Sequence, residues 1–125
     1  GNYINIFESD KALRKTIMRI VTDSKGVDDP KDPDTCNVFN IYKLVAGAED
    51  VAEMRENYLK GGYGYGAAKQ ALYEELVNRF GEEREKYRKL MDHPRDIEEE
   101  LLAGAEKARV IAREVLARTR SVLGF

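Results

Sequence analysis

Apolar residues in this chain recur three and four positions apart almost from end to end, and hardly anywhere two apart. Spacing of three and four gathers side chains on one face of an α-helix, whereas a half-buried strand needs alternation. The last stretch shows it best: Ile97, Leu101, Ala105, Ala108, Ala112, Val115, Thr119 and Val122 make one continuous stripe. Earlier, Leu13, Ile17, Ile20 and Val21 predict a helix from Asp10 to Val21, with Ser9 as its cap. Val38, Ile41, Tyr42 and Val45 predict another from about Thr35 to Ala46, capped by Asp34 or Thr35. Val51, Met54 and Tyr58 predict a third from about Ala48 to Leu59, ending at Gly61-Gly62, where positive φ costs glycine little. Ala68, Leu72, Leu76 and Phe80, continued by Tyr87, Leu90 and Met91, predict a fourth from Ala67 to about Met91, with Gly81 as a possible bend. That helix would be roughly 37 Å long at 1.5 Å per residue. His93-Pro94 then marks a break. The best strand candidate, Tyr3-Ile4-Asn5-Ile6-Phe7, stands alone, and one strand makes no sheet. The expected fold class is therefore all-α: a bundle of about five helices, the last two long. A long acidic loop follows the first helix, because Thr22 to Thr35 carries Gly and Pro but no apolar period.

At 125 residues the chain has the size of one ordinary domain. Its 42% hydrophobic content is too high for a disordered segment. Uncharged apolar runs are only a few residues long, against roughly 20 needed to cross a bilayer. The first residues show no basic-then-apolar export pattern. One cysteine and one histidine can build neither a disulfide framework nor a four-ligand zinc site, so no metal site is expected, and cytoplasmic localisation is. Net charge of −2 gives the chain as a whole no electrostatic case for nucleic acid, so any such case must be local. An opening Gly1 in place of Met reads as a processed product or a piece of something longer.

Local features admit both structural and functional readings. The run Gly61-Gly62-Tyr63-Gly64-Tyr65-Gly66 lacks the preceding strand and the Lys-Ser or Lys-Thr ending of a phosphate loop, and reads first as a helix-to-helix turn. Alternatively, Tyr63 and Tyr65 project from a rigid turn and stack on an unpaired base, with Lys60 and Lys69 beside them. Lys11, Arg14, Lys15 and Arg19 form a basic face on the first helix. From Ala105 to the end, Lys107, Arg109, Arg113, Arg118 and Arg120 stand against Glu106 and Glu114, a local +3. Asp92 to Glu100 holds five acids and one arginine and would repel phosphate. Cys36 reads as a small, partly buried residue, His93 has no nucleophile beside it in sequence, and Glu98-Glu99 belongs to a charge run. Gly104, which costs a helix interior about 1 kcal/mol relative to alanine, calls for a break or for a closely approaching backbone.

IMRIVTDS (Ile17 to Ser24), DPDTCNVFNIYKL (Asp32 to Leu44), GGYGYGAAKQAL (Gly61 to Leu72), REKY (Arg84 to Tyr87) and GAEKAR (Gly104 to Arg109) together resemble the C-terminal part of bacterial-type tryptophanyl-tRNA synthetases, class I aminoacyl-tRNA synthetases. The segments occur in that family's order and spacing over nearly the whole chain. The opening Gly1-Asn2-Tyr3-Ile4 looks like the stretch directly after the Lys-Met-Ser-Lys-Ser loop that stabilises the ATP phosphates, and neither that loop nor the upstream nucleotide-binding domain is present. Ala67 departs from the acidic residue that relatives often carry.

The resemblance implies a tryptophan–tRNA ligase as the full-length protein, using ATP with Mg, with no cofactor and no catalytic residue in this piece. It implies that residues 1–16 link to a catalytic domain and begin the first helix, and that 17–103 form a helical anticodon-binding domain. Residues 104–125 would form a helix returning to pack on the catalytic domain. The implied partners are tryptophan tRNA, the chain's own catalytic domain and, for the full-length enzyme, a second copy in a homodimer. Candidate tRNA contacts are Lys43, Lys60, Tyr63, Tyr65 and Lys69, with Lys15 and Arg19 on phosphates. The alternative reading is a freestanding helical protein-interaction module that uses the final apolar stripe.

Overall fold

A computed structural model describes residues 3–124, so the expectation for Gly1-Asn2 and the last residue of the expected 104–125 segment lie outside the described residues. Among the described residues there are six helices and no strand: α1 (Asp10–Met18), α2 (Asn37–Val45), α3 (Ala48–Lys60), α4 (Tyr65–Arg79), α5 (Gly81–Asp92) and α6 (Pro94–Leu123). The chain divides into two compact units, one up to Glu85 and one from Lys86 onward.

Ser9 caps α1 as its position predicts, its side chain accepting from the Ala12 amide. The helix stops at Met18 rather than Val21. Arg19 and Ile20 donate to carbonyls three residues back, the tighter pattern that closes helix ends. α2 begins two residues later than expected, because Asp34 and Thr35 are engaged elsewhere. The Asp34 carboxylate takes the Arg55 guanidinium and the Thr35 hydroxyl donates to Asp32, so Cys36 holds the cap position without a side-chain bond. Phe80, with φ −108° and ψ 18°, divides the predicted fourth helix into α4 and α5, and Gly81 opens the second of them. Phe80 packs against the core while its neighbours turn outward, which sets the bend one residue before the glycine.

In the first unit α4 packs on both α1 and α2, and α3 packs on α2. Leu13 and Ile17 from α1, Val38 and Phe39 from α2, Tyr58 from α3, and Ala68 and Leu72 from α4 are all fully buried. Each large apolar side chain so enclosed contributes about 1.5–3 kcal/mol. Arg84 of α5 is 2% exposed. Its guanidinium bonds the Ile6 and Glu8 carbonyls and pairs with Asp10, fastening the stretch before α1.

In the second unit α6 runs 30 residues, begins with Pro94 and ends at Gly124 in the left-handed conformation. It passes through Gly104 without a break, and a Cβ at Gly104 would meet nothing within 4 Å, so neither expected explanation of that glycine is found among the described residues. Leu101, Ile111, Val115 and Val122 are exposed.

Candidate nucleic-acid interface

The glycine turn between α3 and α4 is held from beneath by the loop that the sequence showed only as acidic. Lys31, in the middle of that loop, is 2% exposed. Its ammonium donates to the carbonyls of Gly26 (2.7 Å), Val27 (3.1 Å) and Asp29 (2.9 Å), using all three protons, and stands 5.3 Å from the Tyr65 ring centroid. A buried cation is tolerated only when so satisfied. The Lys31 amide donates to the Tyr58 carbonyl at the end of α3 (2.7 Å), and the Gly62 amide donates to Val27 (3.0 Å). Gly61, at φ +80°, lies so close to the loop that a Cβ would collide with the Asp28 carbonyl oxygen. Loop and turn are therefore one fastened body.

On that body sit the two tyrosines that the sequence singled out. Both are half-buried. Their rings pack against buried Tyr58, with centroids at 5.9 Å for Tyr63 and 6.0 Å, edge to face, for Tyr65. The Tyr65 hydroxyl donates to the Asp23 carboxylate at 2.6 Å. Burial, then the Asp23 bond, pushes the Tyr65 phenol far above its ordinary range. The same bond, with the Lys25 amide, holds Asp23 below the usual carboxylate value. Burial and the nearby Glu53 and Glu74 raise the Tyr63 phenol. At neutral pH both hydroxyls keep their protons and act as donors.

The cations are divided. Lys15 is exposed one turn before Arg19, itself exposed at the end of α1, and Lys60 is exposed as the last residue of α3. None of these three side chains has an ion pair or hydrogen bond among the described residues. Lys69, one helical turn after Tyr65, is half-buried and donates to the Met18 carbonyl at 3.2 Å, so its charge closes α1. Lys43 is exposed on α2 with its ammonium 5.4 Å from the Phe39 ring centroid. Lys60, Tyr63, Tyr65 and Lys69 thus lie on or beside the turn, and the Lys69 bond brings the end of α1, where Arg19 stands, to α4. Lys15 extends that edge along α1, and Lys43 connects to it through the Phe39–Tyr58 ring pair, 5.7 Å between centroids.

Sequence reasoning missed Lys31 and its carbonyl nest. The available signal was Pro30-Lys31-Asp32-Pro33, two prolines stiffening the chain on either side of a lone lysine. Buried Tyr58, hub of the aromatic cluster, was legible from its place on the inward face of α3.

No protein-family model matches the chain. Among curated proteins, tryptophan–tRNA ligase of Pseudomonas aeruginosa is 46% identical over 124 residues, which is 99% of this chain and 28% of that protein. Tryptophan–tRNA ligase of Campylobacter jejuni is also 46% identical, over 125 residues and 39% of its length. The crystal structure of tryptophanyl-tRNA synthetase from Campylobacter jejuni complexed with ADP and tryptophan superimposes with a TM-score of 0.95 at 44% identity, covering 99% of this chain and 39% of that one. The chain therefore spans between about a quarter and two fifths of the length of the relatives it matches. In sequence and in fold, it corresponds to the C-terminal part of the tryptophanyl-tRNA synthetases.

Proposed function

We propose that this chain is the RNA-engaging C-terminal part of a tryptophan–tRNA ligase, a protein whose whole form activates tryptophan with ATP and Mg and charges its tRNA. The observation that carries the reading is the match along 99% of the chain to enzymes of that name. Residues 17–103 are assigned to the anticodon arm, with 1–16 leading in from the catalytic domain and 104–125 packing back on it. The exposed apolar residues of α6 give that last helix a reason to seek a partner surface. Catalysis is assigned elsewhere. Among the described residues no group of three or more His, Cys, Asp or Glu could hold a metal ion. Among the same residues no helix is long and apolar enough to cross a membrane, and a cytoplasmic, homodimeric whole enzyme is the companion proposal.

Lys15, Arg19 and Lys60 serve as phosphate contacts, where unpaired cations release counterions on binding. Lys43 adds charge on α2, and Lys69 sets the α1–α4 junction beside Tyr65. Tyr63 and Tyr65 offer ring surface to unpaired bases, and Tyr63 a hydroxyl donor, the Tyr65 proton being held by Asp23. The test is binding of the full-length protein to tryptophan tRNA across a salt series. Anticodon changes are expected to weaken binding more than scrambling a distant stem, and Lys15→Ala with Arg19→Ala to flatten the salt slope. Equal affinity for every tRNA would overturn the reading.

A further inference from the structure

The best strand candidate in the sequence, residues 3–7, has no strand to pair with among the described residues. It is docked all the same. Ile4 and Ile6 pack against the core, while Tyr3, Asn5 and Phe7 are exposed. An extended stretch laid on helices has no ladder to receive its carbonyls, and backbone groups that leave water need partners. Arg84 supplies them. Its guanidinium donates to the Ile6 carbonyl, to the Glu8 carbonyl (3.1 Å) and to the Asp10 carboxylate, across 74 to 78 positions of sequence. Arginine suits this place because its donors diverge in one plane from a single rigid group. Nearer in sequence, the Asn5 side chain accepts from the Phe7 amide (3.1 Å) and Ser9 caps α1, so local bonds carry the hold on into the helix.

Stability alone does not account for a guanidinium that is 2% exposed. An apolar side chain of similar volume is often as stabilising in such a place, or more so, whereas directed bonds fix where the bonded segment lies. In the lead-in, position matters. A tRNA gripped by the first unit reacts elsewhere in the protein, so the attitude of this unit to the part before it sets where the reacting end arrives. A misplacement of about 1 Å can slow a reaction about a hundredfold. We propose that Arg84 is a positioning residue for tRNA charging: by fastening residues 4–10 to α5 it makes the lead-in a rigid connection, which holds bound RNA at a fixed attitude to the catalytic part. This rests on the reading above, in which residues 1–16 lead in from the catalytic domain, and it gives that lead-in a mechanical role.

The full-length protein is assayed with tryptophan tRNA for the Kd of the tRNA and the kcat of charging. The rate at which chymotrypsin cleaves after Phe7 reports local release of the stretch. Arg84→Met leaves no buried charge behind, since the Asp10 side chain is 60% exposed, so the core is expected to fold. In that variant kcat is expected to fall about tenfold or more, cleavage to accelerate about tenfold, and Kd to change by less than about twofold. Arg84→Lys, with a compact ammonium in place of the fork, is expected to lie between wild type and Arg84→Met in both rates, and it carries the test should Arg84→Met fail to fold. Arg79→Met removes a bond of another kind, from the end of α4 to the Val45 carbonyl (3.1 Å), and is expected to change neither rate. If kcat and cleavage do not move together across the Arg84 variants, or if Kd rises in step with the loss of kcat, the positioning role falls and the RNA-binding reading stands. If wild type does not charge tryptophan tRNA, that reading falls as well.

Discussion

Replacing Lys31 with methionine keeps the length and apolar bulk of the side chain and removes its ammonium. Three carbonyls lose a donor, at 2.7, 3.1 and 2.9 Å. Val27 retains the Gly62 amide at 3.0 Å, so two carbonyls, those of Gly26 and Asp29, are left without a partner. An orphaned buried acceptor costs about 1–3 kcal/mol, which gives about 2–6 kcal/mol for the pair. Gly26 and Asp29 belong to exposed residues that water can reach, so the lower half of that range is expected. Even about 2 kcal/mol is a large share of a total stability of about 5–15 kcal/mol. Urea denaturation followed by far-ultraviolet circular dichroism measures it. Lys25→Met, which removes one exposed ammonium from the Pro30 carbonyl, is the control and is expected to change stability by less than about 0.5 kcal/mol. Hydrogen exchange at the Lys31 and Gly62 amides is expected to accelerate in Lys31→Met and not in the control. Should Lys31→Met unfold within about 0.5 kcal/mol of wild type, the carbonyl nest does not fasten the loop, and the account of the turn above it fails with it.

Gly61→Ala is expected to cost well over the 1–3 kcal/mol of an unfavourable backbone region, because its Cβ meets the Asp28 carbonyl, whereas Gly62→Ala, at φ +79° with nothing within 4 Å, is expected to cost only that backbone penalty; denaturant midpoints of the two separate collision from conformation. Tyr65→Phe removes the largest influence holding the Asp23 carboxyl down and is expected to return it toward the ordinary 3.8 in a carbon-13 NMR titration. Because Asp23 is depressed in the folded chain, its contribution to stability is present above 3.8 and lost as pH falls below, so Tyr65→Phe is also expected to flatten acid unfolding in that range. Gly104→Ala in the 125-residue chain is expected to stabilise α6 by about 1 kcal/mol, read as helicity, since nothing lies where the methyl group would go; a loss of helicity would contradict the open environment of that position.

Helices were legible because burial writes a period into the sequence. Leu13 and Ile17, Val38 and Tyr42, Met54 and Tyr58, Ala68, Leu72 and Leu76 were all placed on inward faces and are buried. Helix ends were less legible wherever a polar side chain had two possible partners. Asp34 is as good a cap as it is a mate for Arg55, and only the folded chain, which brings residue 55 to residue 34, decides between them. The loop from Thr22 to Thr35 was opaque for a deeper reason. Its order comes from backbone carbonyls converging on one ammonium, and carbonyls belong to every residue alike. The same holds for Tyr42: a periodic position reveals that a ring is buried, but says nothing of where its hydroxyl ends.

Net charge misleads about this surface because it counts cations without asking what holds them. Lys31 is enclosed by carbonyls, Lys69 closes a helix end, Arg55 is paired with Asp34, and Arg84 is buried against Asp10. Those four are committed to the fold, and changing them tests stability. Lys15, Arg19 and Lys60 are committed to nothing among the described residues, and changing them tests binding. A chain with a formal charge of −2 can therefore still offer phosphate a locally positive edge, provided the free cations lie together and the acids lie apart. Lys60 precedes the fastened turn directly, and the bond from Lys69 to the Met18 carbonyl brings the end of α1, with Arg19, against α4. If the chain binds RNA as proposed, position along the surface, not the sum over the sequence, decides where phosphate is accepted.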